Sequence, residues 1–291
     1  MEDPLLSLFC GGVAGAVSRT VVSPIERVKV LFQVQTTTRG TYRAGTLATV
    51  RRIYQEEGPR GLFRGNGVNC LRIVPYTAIQ YTVYEQLRET ITKDIRQLNT
   101  VEKLFCGLIG GIASVGGTYP LDLLKTRLSV LTAQGLHGSA NSGKDITLWG
   151  NMKSVYRHEG GIRGLYRGFV PTVLGVAPYV SLNFALFEQL REWTGATSTP
   201  SVLLLGGLAG GISQTIVHPL DVLRRRYQVA ALHGPHEMAM LGSVASALAN
   251  TARNEGFRGL FRGWGANMCK IVPSMAVQWA VYEQLRSAFS K

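Results

Sequence analysis

The chain has 291 residues, enough to bury a sizeable core, and a formal net charge of +13 from 31 Lys and Arg against 18 Asp and Glu. It is 45% hydrophobic and 17% charged, yet its mean hydropathy is only +0.09, which excludes a bundle apolar all round and leaves a helix-rich soluble protein or a membrane protein with a wet interior. Apart from Arg224, Arg225 and Arg226 the basic residues stand singly or in pairs among apolar stretches, which argues against nucleic acid and for an anionic membrane surface or anionic substrates.

The opening MEDPLL is acidic and runs almost directly into an apolar stretch, unlike a basic cleavable leader, so targeting information is expected to be internal. The first predicted span carries Gly11 and Gly15 at GxxxG spacing, which lets helix backbones approach closely in lipid. Further along, "PIERVK" places Pro24 in mid-helix, where it removes a hydrogen bond and kinks the axis, followed by Glu26 and Lys29. A polar basic stretch then holds Glu57, Gly58 and "GLFRG" at 61 to 65 and is expected to contain a short surface helix. A second apolar segment, "CLRIVPYTAIQYTVYEQLR" at 70 to 88, is long enough to cross a bilayer.

The same order recurs twice. "PLDLLK" sets Pro120, Asp122 and Lys125 after Gly107 and Gly111, "GLYRG" ends at Gly168, and "VLGVAPYVSLNFALFEQLR" runs to Arg191. "PLDVLR" sets Pro219, Asp221 and Arg224 after Gly207 and Gly211, "GLFRG" ends at Gly263, and "CKIVPSMAVQWAVYEQLR" runs to Arg286. Internal repetition decides the fold: units at 1–98, 99–199 and 200–291 form one all-α membrane domain of six transmembrane helices in three pseudo-symmetric repeats. The polar stretches 36–66, 129–168 and 229–263 hold 6, 5 and 3 Lys or Arg, and the joins 89–103 and 192–201 hold 3 and none, so the three stretches share one face and both termini the other. Cys10, Cys70, Cys106 and Cys269 have neither CxxC nor framework spacing; no metal site is expected, and they are read as four small buried residues. "GNGVNC" at 65 to 70 imitates a dinucleotide turn but follows no strand pattern, so no cofactor and no enzyme activity are expected.

Charges at membrane depth are costly unless they face a partner or water. Each acid–base pair could close within its own helix for a few tenths of a kcal/mol. A threefold chain offers a better solution, the acid of one unit meeting the base of the next so that Glu26, Lys29, Asp122, Lys125, Asp221 and Arg224 close a ring. The EQLR words offer a second ring at the opposite end from Glu85, Arg88, Glu188, Arg191, Glu283 and Arg286. Two closable rings make alternating gates. A substrate site should break the symmetry. Twelve residues before the aromatic that precedes each EQLR stand Arg72, Gly175 and Lys270, and five before each proline stand Arg19, Val115 and Gln214. Arg19, Arg72 and Lys270 suit a substrate with several negative charges; Gly175 and Val176 leave a shallow apolar wall for a flat ring, with Asn69, Tyr76 and Tyr179 as stacking or hydrogen-bonding neighbours.

The triple P-x-[DE]-x-x-[KR], followed by Glu57, Gly58, Phe63, Arg64 and Gly65, by "EGGIRGLYRG" from Glu159, and by Glu255, Gly256, Phe261, Arg262 and Gly263, resembles the mitochondrial carrier family (solute carrier family 25) over the whole chain. The resemblance implies a six-helix barrel with short matrix helices, acting as a monomer in the mitochondrial inner membrane, with both termini toward the intermembrane space. It implies glutamine braces under the matrix ring, matched by Gln33 and Gln228 but Ser129 in unit two, and tyrosine braces at the cytoplasmic ring, matched by Tyr84 and Tyr282 but Phe187 in unit two. It also implies cardiolipin at Arg64, Gly65, Arg167, Gly168, Arg262 and Gly263, where helix N-termini favour phosphate, although the second half of that lipid pattern is irregular at Tyr42 to Gly45, Trp149 to Gly150 and Leu241 to Gly242. Within the family, Gly175 with Val176 is similar to the adenine contact of nucleotide carriers, and "GNGVNCLRIVPYTAIQY", "TYPLDLLKTRLSV" and "LGVAPYVSLNFALFEQLRE" resemble fungal carriers of adenosine 5'-phosphosulfate and 3'-phospho-adenosine 5'-phosphosulfate. Coenzyme A or ATP-Mg/ADP carriers and a proton-leak channel of the same fold are the other readings; Arg224, Arg225 and Arg226 lead into Tyr227 rather than methionines, against ADP/ATP exchange.

Overall fold

The computed structural model describes residues 4–35, 45–91, 99–135, 147–195, 198–234, 238 and 241–289. It is all-helical over these residues: α1 Pro4–Val34, α2 Thr46–Leu62, α3 Asn66–Ile91, α4 Thr100–Gly135, α5 Leu148–His158, α6 Ile162–Leu165, α7 Phe169–Thr194, α8 Thr199–His233, α9 Val244–Leu260 and α10 Trp264–Phe289. Each repeat is a long helix, a short broken helix and a second long helix. Pro24, Pro120 and Pro219 lie inside α1, α4 and α8, which continue through them. Glycines make the true breaks. Gly58 (φ 71°) and Gly256 (φ 68°) turn α2 and α9 in a left-handed conformation, and the extra residue of repeat two, giving Gly160 and Gly161 (φ 89° and 66°), splits the equivalent helix into α5 and α6. Only glycine adopts these angles without strain.

The six long helices close a ring. Each repeat's second helix packs most extensively on the first helix of the next repeat, α3 on α4, α7 on α8 and α10 on α1, while α1 with α3, α4 with α7 and α8 with α10 complete the circle. Small residues permit this. Ala14, Gly110 and Ala209 sit ten residues before the three prolines and Ser18, Ser114 and Ser213 one turn later, all buried, so a small-xxx-small stripe faces the preceding repeat. Ser18 Oγ donates to Ser274 O at 2.7 Å, and a side chain on Gly117 would come within 2.6 Å of Ile79 Cδ1. The GxxxG glycines serve a looser contact: Gly15, Gly111 and Gly211 face Ile73, Val176 and Met268 of their own repeats at 3.7 to 3.9 Å, and Gly11 and Gly107 meet nothing within 4 Å.

The ring is oily outside and polar inside. Leu204, Leu208, Ile212 and Ile216, at i+4 spacing on α8, are 45 to 67% exposed, and Leu71, Val74, Val170, Leu174 and Val272 are exposed on other long helices, whereas Arg27, Lys29, Asp122, Lys125 and Arg127 are buried. That inversion is what lipid around a hydrated passage requires. Thr100–Leu131 and Ile162–Thr194 are long and apolar enough to read as spans by composition alone; α1, α3, α8 and α10 carry inward charges such as Glu26, Arg72, Asp221 and Lys270 that dilute the signal. Cys10 and Cys106 are buried as expected, but Cys70 is half-buried and Cys269 exposed.

Candidate functional site

At the end bearing the short helices, α1, α4 and α8 converge. Two residues past each proline an acid points inward, and three further a base. Lys125 Nζ lies 2.7 Å from Glu26 Oε1, Arg224 Nη2 lies 2.6 Å from Asp122 Oδ2, and Lys29 Nζ lies 3.3 Å from Asp221 Oδ2. The acid of each repeat thus holds the base of the next, and the ring closes.

The three corners are unequal. Asp122, 1% exposed, also accepts from Arg225 at 3.1 Å, Arg72 at 3.0 Å and Gln228 Nε2 at 2.8 Å. Arg72 is bracketed by this carboxylate and the ring of Tyr76, 5.6 Å away. Gln228 takes further bonds from Thr126 and Arg225 on its Oε1, at 2.8 and 2.9 Å. Glu26 is shared by Lys125 and, at 3.8 Å, Lys270; Asn69 lies between, accepting from Lys125 at 2.9 Å and Arg19 at 3.4 Å. Asp221 is the most exposed of the acids, at 25%, and has Gln214 as a second donor at 2.8 Å. The glutamine position beneath it is Gln33, whose buried Nε2 and Oε1 find no partner among the described residues. Ser129 bonds the carbonyl of Lys125 at 2.9 Å and leaves the Glu26–Lys125 pair without a side-chain amide below it. Six cations (Lys29, Arg72, Lys125, Arg224, Arg225 and Lys270) lie within 4 Å of three acids, a surplus of three positive charges at the foot of the passage.

Above the ring opens a cavity of about 530 Å³. Tyr179 and Asn183 of α7, Gly206, Gly207 and Gly210 of α8, and Lys270 and Met275 of α10 line it, with Arg224, Arg225 and Asp221 at its base. Of the three cations picked out by broken symmetry, Lys270 lines this cavity, Arg72 is drawn to Asp122, and Arg19 to Asn69. Gly175 and Val176 do not line it: Gly175 is buried, with Val217 Cγ1 3.3 Å from where its side chain would start, and Val176 packs 3.7 Å from the same point on Gly111. Both requirements, a wall for a flat ring and a close helix contact, ask for a small residue, and here the contact accounts for it.

The EQLR end lies open to solvent. Arg88 pairs with Glu85 of its own helix at 3.2 Å, Glu188, Arg191 and Glu283 are exposed and make no ion pair among the described residues, and Tyr84 and Tyr282 are half-buried beside them. At the turns before α3, α7 and α10, Gly65, Gly168 and Gly263 abut the carbonyls of Lys125, Arg224 and Lys29 at 3.0 to 3.1 Å from a side-chain position, repeat on next repeat. Arg167 and Arg262 turn to Glu159 and Glu255 at 2.9 and 3.3 Å, and Arg64 is exposed. Of the second lipid pattern, Tyr42 lies outside the described residues.

A further threefold element escaped the sequence pattern. Arg127 and Arg226, seven residues past their prolines, bind Glu159 and Glu255 and donate to the carbonyls of Gln228 at 3.0 Å and Gln33 at 3.3 Å in the next repeat. In repeat one that position is Leu31, and Arg27, four residues earlier, does the same work: it binds Glu57 at 2.7 Å, Gly61 O, and Ser129 O at 3.3 Å. Arg225, Asn183 and Asn267 were also missed. Asn267 was within reach, since it stands three before Lys270 as Asn69 stands three before Arg72.

The family model for "Mitochondrial carrier protein" matches residues 2–95, 96–198 and 195–291. The chain is 47% identical to an uncharacterized mitochondrial carrier of Saccharomyces cerevisiae, over 97% of this chain and 91% of that one. It is 37% identical to the mitochondrial adenine nucleotide transporter ADNT1 of Arabidopsis thaliana, over 96% and 86%, and 37% identical to the mitochondrial carrier protein CoAc1 of the same plant, over 97% and 88%.

Proposed function

The chain belongs to the mitochondrial carrier family, and on that premise we propose that it carries adenine-nucleotide-type anions across the inner membrane by alternating access. The proline-motif ring is then the matrix gate and the EQLR ring the cytoplasmic gate. The observation that carries this reading is the surplus of three cations beneath a cavity whose upper wall is aromatic, amide and glycine. A phosphate or sulfate group suits the foot of the passage and a planar base the wall, and a relative at 37% identity is named for adenine nucleotides. Adenosine 5'-phosphosulfate, 3'-phospho-adenosine 5'-phosphosulfate or a related nucleotide fits best, exchanged against nucleotide, phosphate or sulfate; the three segments similar to fungal phosphosulfate carriers support the sulfated pair, and coenzyme A is the second candidate.

The gate acids and the substrate cations are in contact, which supplies a mechanism. Arg72 and Arg225 hold Asp122, and Lys270 approaches Glu26. An arriving anion competes for these donors, leaving each acid one base of the adjacent repeat, and a pair with fewer hydrogen bonds opens more readily. The long helices then part at the short-helix end and draw together at the EQLR end, where Glu of one repeat reaches Arg of the next. The closed ring of six helices acts as a monomer, with both termini toward the intermembrane space. Cardiolipin headgroups sit on the backbone N–H groups that open α3, α7 and α10.

Exchange of labelled nucleotide by liposomes holding the purified protein tests the reading, beside a thermal-shift screen of adenine nucleotides, phosphosulfates and coenzyme A. Saturable counter-exchange is expected, abolished by Arg72→Ala in a protein that still folds. Proton conductance without exchange, or stabilisation by a keto acid and by no nucleotide, would overturn it.

A further inference from the structure

The three ion pairs of the ring are held by different neighbours. Asp122 has an amide beneath it, Gln228, whose Nε2 donates to the carboxylate at 2.8 Å while its Oε1 accepts from Arg225 at 2.9 Å. An amide carries a donor beside an acceptor and so serves an acid and a base at once. The Glu26–Lys125 pair has Ser129 at the glutamine position, and the Ser129 hydroxyl is engaged by the carbonyl of Lys125 at 2.9 Å. A buried ion pair is stable only when its remaining donors and acceptors are satisfied, so this pair needs its amide from elsewhere.

The amide comes from α3. Asn69, on the first turn of that helix, accepts from Lys125 Nζ on its Oδ1 at 2.9 Å and turns its Nδ2 to Glu26 Oε2 at 3.5 Å, the division of labour seen in Gln228. Asn69 is 3% exposed and is not among the residues lining the large cavity, so its amide serves the ring and not a substrate. Repeat position alone does not explain this. Thr172, its counterpart in repeat two, donates to the carbonyl of Gly168 at 2.7 Å, and Asn267, its counterpart in repeat three, has a buried Nδ2 with no partner among the described residues. The asparagine is engaged at the corner whose glutamine position holds a serine. Glu26, Asn69, Lys125 and Ser129 line one narrow cleft, so an amide from either wall reaches the same pair.

We infer that Asn69 braces the Glu26–Lys125 pair from the α3 side, in place of a glutamine beneath it. Its part in transport rests on the reading of this ring as the matrix gate, in which Asn69 sets how firmly the first corner shuts. The test is a double-mutant cycle between Asn69→Leu and Ser129→Gln in the full-length purified protein. A glutamine has a precedent at this place: Gln33, at the same repeat position, lies with its Cγ 3.2 Å from the side-chain position of Gly263, as Ser129 Oγ lies 2.8 Å from that of Gly65. Asn69→Leu should lower the melting temperature by about 4 °C, whereas Asn267→Leu should not lower it. Ser129→Gln should move wild type by less than about 1 °C and return about half or more of the loss in the Asn69→Leu background. Liposome exchange of labelled nucleotide adds a second readout. The rate altered by Asn69→Leu should return toward wild type in the double variant, because an amide at 129 restores a brace and cannot restore a substrate contact. A loss in Asn69→Leu no larger than in Asn267→Leu, or effects of the two substitutions that simply add, would overturn the inference. Melting that is rescued while exchange ignores every substitution would leave the brace standing and remove the ring from gating. Wild type that exchanges no nucleotide would remove the nucleotide reading, and the melting cycle would still decide the brace. If the double variant does not survive purification, Asn69→Leu against Asn267→Leu decides alone.

Discussion

At the short-helix end each acid has crossed to the base of the next repeat, at 2.6 to 3.3 Å; at the other end Glu85 lies 3.2 Å from Arg88 of its own helix, and Arg88 is 55% exposed. Both ends are written as an acid with a base three residues on, so the local pair was open to both. A local pair on an exposed helix is worth only a few tenths of a kcal/mol. Where helices converge and water is thin, a base that stays at home leaves a neighbouring carboxylate stranded, and the pair between repeats wins. Crossing therefore reports convergence, and the same word can be a latch at one end and a solvated surface at the other.

The comparison breaks most visibly at Asp122. Asp122→Asn strips the carboxylate from Arg72, Arg224 and Arg225 at once, and removing one partner of a buried pair costs about 3–5 kcal/mol. Glu85→Gln should stay within about 0.5 kcal/mol. Thermal unfolding of the two purified variants measures the difference; equal losses would mean that the two ends are equivalently engaged.

Next in size is the strut that ties repeats together beneath the ring. Arg27→Leu leaves Glu57, 3% exposed, and the carbonyls of Gly61 and Ser129 without their donor, and should cost about 3 kcal/mol. An effect no larger than that of an exposed arginine such as Arg51 would remove Arg27 from this role.

A smaller contrast lies within the ring. Gln228 bonds Asp122, Tyr119, Thr126 and Arg225, whereas Gln33 has no partner for either amide atom among the described residues. Gln228→Leu should lower stability by about 1–3 kcal/mol, and Gln33→Leu should be neutral or stabilising, since it removes buried unpaired polar atoms. Two equal losses in a melting experiment would show Gln33 to be a brace as well.

Repetition made much of this readable. Words recurring about a hundred residues apart gave six long helices, the crossed ion pairs at the short-helix end and the break of symmetry at Arg72 and Lys270. Repetition also hid what it could not express. The guanidinium that meets Glu57 comes from Arg27 in repeat one but from seven residues past the proline in the other two, and no alignment of words equates the two positions, because a flexible arginine reaches one place from two turns of a helix. Asn183 shares its repeat position with two glutamines, Gln80 and Gln278, so repetition does not single it out; that its oxygen finds no partner among the described residues is a fact of packing. Whether a ring closes is a property of helix tilt, and in the alternating-access reading one sequence serves both tilts.

Phe187→Tyr is the finest test of that last point. Phe187 fills the place held by Tyr84 and Tyr282 in the other repeats and lies within 3.9 Å of the side-chain position of Gly206. With the EQLR end open to solvent, an added hydroxyl meets no ion pair between repeats among the described residues, so the stability of this state should hardly change. In the state where Glu and Arg cross between repeats, the hydroxyl gains a partner worth about 0.5–1.5 kcal/mol. The variant should therefore bind an inhibitor specific to the EQLR-closed state about two- to tenfold more tightly, and exchange more slowly if leaving that state limits the cycle. Unchanged inhibitor binding together with unchanged exchange would mean that the aromatic at this position does not brace the ring, and the three EQLR words would have to latch through their charges alone.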